Sequence, residues 1–469
     1  KEEIAFVHKS VKPYIQMVMD ATDPPALVKH SQNVNFLMKR FAVGASFFHA
    51  VSLGESMIFT FLRDGAMRNY TGKLFKDSVT GRKSLMQKWT ENPNDPSFKK
   101  WMESEYVATT TRLNNDPNYR DVIQLLTKNG LEINKPADVG HDQFYASFNQ
   151  IERAVSKIPA LGKVMNDLGV RPARSVFKWF DKVTWERAFT SFKLHTAIAQ
   201  MNKQILRDPE GRIPLRIHAR DAAEFTNDAF GGQNWTRLAN DTANPILRSM
   251  AQATYKPGAK PYVQFAFFAP DWTISNIRIL ARAFPAFNAN ERTRNLYMMY
   301  LINGAILYAI LGNAVNYAFT GKSIFENKDP TRIDLGNGEV MTFSKQYMEP
   351  FHWITDPQKT LLKKTGSLPK TAAEILSNKE YLTTGWSPQI TKKDDSSIEK
   401  ALKLGGQVGS KFLPIWVNQA VEGYMEDGLT YDDALNVVLG QLAHPKYKGP
   451  RSTMFRTREL VEDPMKALF

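Results

Sequence analysis

Residues 296 to 319 read LYMMYLINGAILYAILGNAVNYAF, a run without one charge, bracketed by Arg292 and Arg294 before it and Lys322 after it. About 20 apolar residues of helix are enough to cross a hydrocarbon core, and tyrosines near both ends with basic flanks are the usual interfacial anchors. The rest of the chain argues the other way. Mean hydropathy is -0.38 and 23% of residues are charged, so any membrane contact must come from one or two segments. Within the run, Asn303, Asn313 and Asn316 fall inside an arc of roughly 140° on a helix, a stripe lipid would not favour. Two readings stay open: a core helix whose asparagines bond neighbouring helices, or a helix that inserts conditionally, with Gly304 and Gly312 permitting close backbone approach.

Working outward, 42 to 62 is a second long apolar run. His49, Ser52 and Ser56 lie along it at i, i+3 and i+7, either as the wetter edge of a buried helix or as the lumen face of an assembly. The two apolar runs anchor the expected organisation. Residues 1–135 form an N-terminal helical domain with the 42–62 helix, and 136–330 a central helical domain with the 296–319 helix. Residues 331–469 form a β-hairpin plus a C-terminal helical region that ends in a basic tail of Lys446, Lys448, Arg451, Arg456 and Arg458. Asn-Pro and Asp-Pro steps between Asn92 and Asp116 read as loops, and RIDLGNGEVMTF at 332–343 reads as two short strands joined through Gly336-Asn337-Gly338. The fold expected is mainly α, in bundle-like domains with a small β-hairpin insert.

With 61 Lys and Arg against 47 Asp and Glu the net charge is +14, which favours polyanions such as nucleic acid or anionic headgroups. No cysteine is present, so disulfides, thiolate zinc sites and a cysteine nucleophile are excluded. Residue 1 is Lys, without a signal peptide's regions, which reads as part of a longer polypeptide. Gly321-Lys322-Ser323 is no P-loop, because Asn316 stands where the first glycine belongs and a long apolar helix precedes it. The glycines of LGGQVG, at 405, 406 and 409, lack a preceding strand and the acidic residue a dinucleotide site needs. None of the eight histidines has zinc-protease spacing, and His195 reads as a core histidine. No catalytic constellation, metal site or cofactor is expected. Glu224, Asp228 and Asp271 are the only carboxylates in unusual company, with structural use the simpler reading. Lys178 and Lys182 sit among Phe177, Phe180, Trp185 and Phe189, an interleave that suits base stacking and phosphate contact or an ordinary amphipathic core helix. Arg278 and Arg282, four residues apart, are further candidates for a polyanion contact.

Several segments form an ordered series: WERAF at 185–189, AAEFTNDAFGGQNW at 222–235, FFAPDWTISNIR at 267–278, the uncharged run, the hairpin, and GWSPQI at 385–390. This series resembles the C-terminal part of phage large polyvalent proteins and of internal virion proteins ejected with the genome, over roughly residues 171 to 390. The resemblance implies a protein packed in the virion, in the capsid interior or tail, that leaves with the DNA. It would then work in the host cell envelope, self-assembled and with other virion or ejection proteins, as part of a conduit across the periplasm and inner membrane. Phage DNA and the host inner membrane are its implied contacts. The alternative is a nucleic-acid-binding module of a larger polyvalent protein or virion RNA polymerase. Within the motifs, Gly231 and Gly232 are expected to allow a turn of positive φ with Trp235 packing back across it. Pro270 and Asp271 are expected to start a helix at Trp272.

Overall fold

Asp95-Pro96 opens a helix instead of breaking one. In the computed structural model, which describes residues 48–64, 182–232 and 290–327 throughout and most of 73–83, 92–133, 270–289, 330–341 and 364–404 together with single residues between, helix α2 runs from Pro96–Asn114. The Asp95 carboxylate accepts from the Ser97 and Phe98 amides at 2.9 and 3.1 Å. Pro96 occupies the first helical position, where its missing N–H costs nothing. The expected loop was an N-cap and first-turn proline read as a breaker.

The described chain is mainly α. Helix α1 spans Phe48–Phe61 and α3 spans Val122–Lys128; a π-helical stretch, Lys182–Phe189, runs into α4, Thr190–Leu206. Then follow α5 (Leu215–Phe230), α6 (Pro270–Ala283), α7 (Glu291–Thr320) and α8 (Ser367–Ser377). Strands β1 (Ile333–Asp334) and β2 (Val340–Met341) pair antiparallel, Ile333 opposite Met341, as the 332–343 segment implies. A second hairpin, β3 (Lys379–Leu382) with β4 (Gly385–Gln389), was not expected from sequence. Its mouth is tied by Asn378, whose Nδ2 donates to the Thr391 carbonyl at 2.7 Å while its Oδ1 accepts the Thr391 amide at 2.9 Å.

Helix α4 is the centre of the molecule. It packs against α1, α2, α3 and α5, and every residue from Ser191 to Met201 is buried. Leu194, Ala197, Ile198, Met201 and Ile205 join Phe98, Trp101, Leu125, Leu126 and Ala219 in one core; Phe192 and Ala199 join Leu53, Met57, Phe59, Phe225, Tyr297 and Tyr300 in another. Each fully buried large side chain is worth about 1.5–3 kcal/mol relative to exposure. Both cores draw on residues from either side of 135, so packing crosses the domain boundary expected there.

The polar groups of α4 are accommodated by neighbours. His195 is fully buried, its Nδ1 2.5 Å from the Ser191 carbonyl and its ring edge-on to Trp101 at 4.0 Å. It is the core histidine the sequence suggested. Lys193, also fully buried, donates to the Gly232 carbonyl at 3.2 Å and lies over the Phe189 ring.

Candidate functional site

Helix α7 is where the sequence placed the function, and its 30 residues, about 45 Å at 1.5 Å per residue, divide into two environments. Asn290 caps its start, accepting the Arg292 amide at 3.2 Å. Gly321, at φ +68°, closes its end in the left-handed conformation and donates to the Tyr317 carbonyl at 2.8 Å. This is the physical role of the glycine in Gly-Lys-Ser: a helix stop.

The first half is buried. Leu296, Tyr297, Tyr300, Leu301, Asn303 and Gly304 face the core. Tyr300 stacks edge-on with Phe59 at 5.5 Å and donates to Ser56 at 3.2 Å; Asn303 donates to the Phe59 carbonyl at 2.6 Å. Ser52 and Ser56 are both buried, Ser56 in this contact, as the buried-helix reading of their stripe expects. His49 lies within α1, but its side chain falls outside the described residues.

Behind α7 a charge-balanced seam joins it to α5 and α6. Asp221, Glu224 and Asp228, at i, i+3 and i+7, share one face of α5. Arg292 pairs with Asp221, and Arg282 donates to Glu224 at 2.5 Å. Arg278 Nε and the Tyr297 hydroxyl donate to the two oxygens of Asp228 at 2.7 and 2.6 Å. Both Arg278 and Asp228 are essentially inaccessible to solvent. The expectation that Arg278 and Arg282 contact a polyanion is therefore corrected: their charges are spent on α5. Lys182 is exposed, whereas Lys178 lies outside the described residues.

The seam is reached through a tight corner. Gly231 and Gly232, at φ +66° and +94°, turn the chain out of α5 as expected. What packs on the turn is Trp272, and a Cβ at Gly231 would lie 2.8 Å from its ring. Trp235 is outside the described residues. Pro270 and Asp271 are the first two residues of α6, again as expected; the Asp271 side chain is not among those described.

The second half of α7 is covered on one side only. Tyr308, Gly312, Val315 and Asn316 meet the turn Ile324–Glu326 and strand β1, forming a small core with Ile324, Ile333 and Leu335. A Cβ at Gly312 would come 2.9 Å from Ile324 Cδ1, so a larger residue there would oblige that methyl to shift. Asn313 Oδ1 accepts from Ser323 Oγ and the Ile324 amide at 2.9 and 3.0 Å. Fully buried Asn316 donates to the Lys322 carbonyl at 2.9 Å and accepts from Asn327 Nδ2 and the Asp334 amide at 2.6 and 2.7 Å. The asparagine stripe thus divides: Asn303 bonds the neighbouring helix α1, as one reading expected, while Asn313 and Asn316 bond the chain's own return. Asn316→Ala should cost about 2–3 kcal/mol, since each buried group stranded costs about 1–3; urea unfolding measures the loss, and hydrogen exchange should show faster opening at β1.

On the opposite side Ile310, Leu311, Ala314, Tyr317 and Ala318 face solvent, Tyr317 64% exposed; Phe319, on the same azimuth as Gly312 but at the helix end, is 56% exposed as well. Phe325 and Lys322, just beyond the helix end, are exposed too. Among the described residues, α7 is the one helix long and apolar enough to cross a membrane, and only 33% of its most apolar window is buried.

A second polar hub was not legible in the sequence. Asp208, in the turn between α4 and α5, accepts from Arg112 Nη1 at 3.2 Å, from the Arg212 and Ile213 amides at 3.0 and 2.9 Å, and pairs with His218 Nε2 at 3.2 Å. Burial works against its charge, yet the Ile213 amide, His218, Arg112 and the Arg212 amide together hold its pKa down to about 2. Burial likewise lowers His195 to about 3. Both groups release more protons folded than unfolded, so both stabilise at neutral pH and lose that contribution on acidification. His195 acts from 6.5 down to about 3 and Asp208 from 3.8 down to about 2. An acid titration of stability should show both windows, with the lower one absent in Asp208→Asn.

No protein-family model, no curated protein and no solved structure matches this chain.

Proposed function

We propose that the chain is a non-enzymatic component of a phage genome-ejection apparatus, carried in the virion and active in the host envelope. The outer face of α7 is its contact with the inner membrane. The observation that carries this reading is the one-sided cover of residues 308 to 320, which leaves an uncharged, aromatic-ended face in water. Several large apolar side chains exposed on one helix flank are what an interaction site offers. Tyr317, Phe319 and Phe325 with Lys322 at one end have the make-up of a membrane interface, where aromatic rings and lysine heads sit among headgroups. A charge of +14 adds attraction to anionic lipid.

The buried face of α7 keeps its bonds to α1, α5 and β1 in this reading, and lipid takes only the outer face. A conduit then requires several copies side by side, the ordinary route by which one chain closes a pore. Planar bilayers of anionic lipid test this: stepwise conductance that scales steeply with protein concentration supports an assembled conduit. Binding without conductance would remove the conduit from the account.

The nucleic-acid alternative retains Lys182 and the overall charge but loses Arg278 and Arg282 to the seam. The lipid reading is better supported for that reason.

A further inference from the structure

Between the end of α2 and the start of α5 lies a cleft of about 680 Å³. Its floor is Arg112, immobilised by the 3.2 Å bond to Asp208 and by donations from Nη2 to the carbonyls of Ile213 and Gly211 at 2.8 and 3.4 Å. Its walls carry the side chains of Asn115, Asn118, Tyr119 and Arg216. Arg216 is exposed and forms no ion pair among the described residues, and no hydrogen bond engages the side chains of Asn115, Asn118 or Tyr119. The cleft therefore gathers a guanidinium, two amides and a phenol whose donors are unused. Asp116 is the one carboxylate on the wall, and its Oδ1 already accepts the Asn118 amide at 2.9 Å. The first turn of α5 borders the cleft at Pro214, Leu215 and Arg216, with no side-chain cap at Pro214; the Ile217 amide is met by the Pro214 carbonyl at 2.9 Å.

We infer that this cleft binds a phosphate group. The guanidinium of Arg216 supplies planar paired donors, Asn115, Asn118 and Tyr119 supply neutral ones, and rigid Arg112 closes the floor without needing to move. The volume exceeds what one phosphate fills, leaving room for the remainder of a larger ligand against Pro117 and Pro214. The same chemistry is offered by a free phosphate compound and by a nucleic-acid backbone. This inference does not depend on the membrane reading, which concerns other residues.

Isothermal titration of the full chain with inorganic pyrophosphate, and fluorescence anisotropy with a labelled single-stranded oligonucleotide, separate the two sources. Arg216→Gln should weaken binding about tenfold, the loss of a charge-assisted bond; Asp116→Asn, which keeps an acceptor for the Asn118 amide, should tighten it. Both residues are at the surface, and unchanged circular dichroism checks that the variants fold. Binding of both probes at this cleft assigns a general phosphate site, and binding of the oligonucleotide alone assigns the backbone of a nucleic acid. Failure of both probes to saturate, or affinity that ignores Arg216→Gln, overturns the inference.

Discussion

Asp228→Ala should cost about 3–5 kcal/mol, the usual penalty for stripping one partner from a buried ion pair. Arg278, with 2% of its side chain exposed, would keep its charge in the interior with nothing opposite Nε, and the Tyr297 hydroxyl would lose its acceptor. The loss should be cooperative across α5, α6 and α7, because the seam ties together helices that also share one apolar core. A double variant, Asp228→Leu with Arg278→Met, should recover much of the stability, since apolar pairs of similar volume often replace buried ion pairs without loss. Thermal and urea unfolding of the three proteins measures this. Equal destabilisation in the single and double variants would mean that the carboxylate serves shape, not charge.

Gly231→Val should be comparably severe, about 2–6 kcal/mol, for two separate reasons. A β-branched residue at φ +66° is strained by about 1–3 kcal/mol. Its Cβ would also enter the Trp272 ring at 2.8 Å, and overpacking adds about 1–3 kcal/mol more. Gly231→Ala with Trp272→Leu separates the terms: it removes the clash and keeps the strain. Near-complete recovery would assign the glycine to packing; partial recovery assigns it to both.

The sequence disclosed most of the helices and the first hairpin because these are local, whereas the caps, local as they are, went unread and Asp95-Pro96 was taken for a loop. Asn290 before Glu291, Gly321 after Thr320 and the Gly336 turn are each readable within a few residues. Burial was less legible. The most apolar run, 296–319, drew attention as a possible central helix, whereas the helix enclosed from Ser191 to Met201 is α4, with Lys193, His195 and Gln200 along it. Enclosure depends on how many helices surround an element, and α4 packs against four of them while α7 has a bare flank.

Charge pairing was hidden for the same reason. The i, i+3, i+7 spacing of Asp221, Glu224 and Asp228 and the i, i+4 spacing of Arg278 and Arg282 are visible in sequence, but nothing local says that these faces meet across about 50 residues. Arginines read alone resemble a polyanion contact; set against α5 they are fasteners. The hub at Asp208 is harder still, since Arg112 comes from 96 residues away. The basic tail from Lys446 to Arg458 and the segment before residue 48 lie outside the described residues.

The central claim is that the outer face of α7 engages lipid. Liposome flotation of the purified chain with anionic vesicles, at low and high salt, tests it beside a variant carrying Leu311→Asp and Tyr317→Asp. Both substitutions fall on exposed positions and leave the buried face intact. The account predicts flotation that survives high salt in the parent chain and disappears in the variant. A parent chain that stays at the bottom, floats only at low salt, or floats equally well with both aspartates would contradict it.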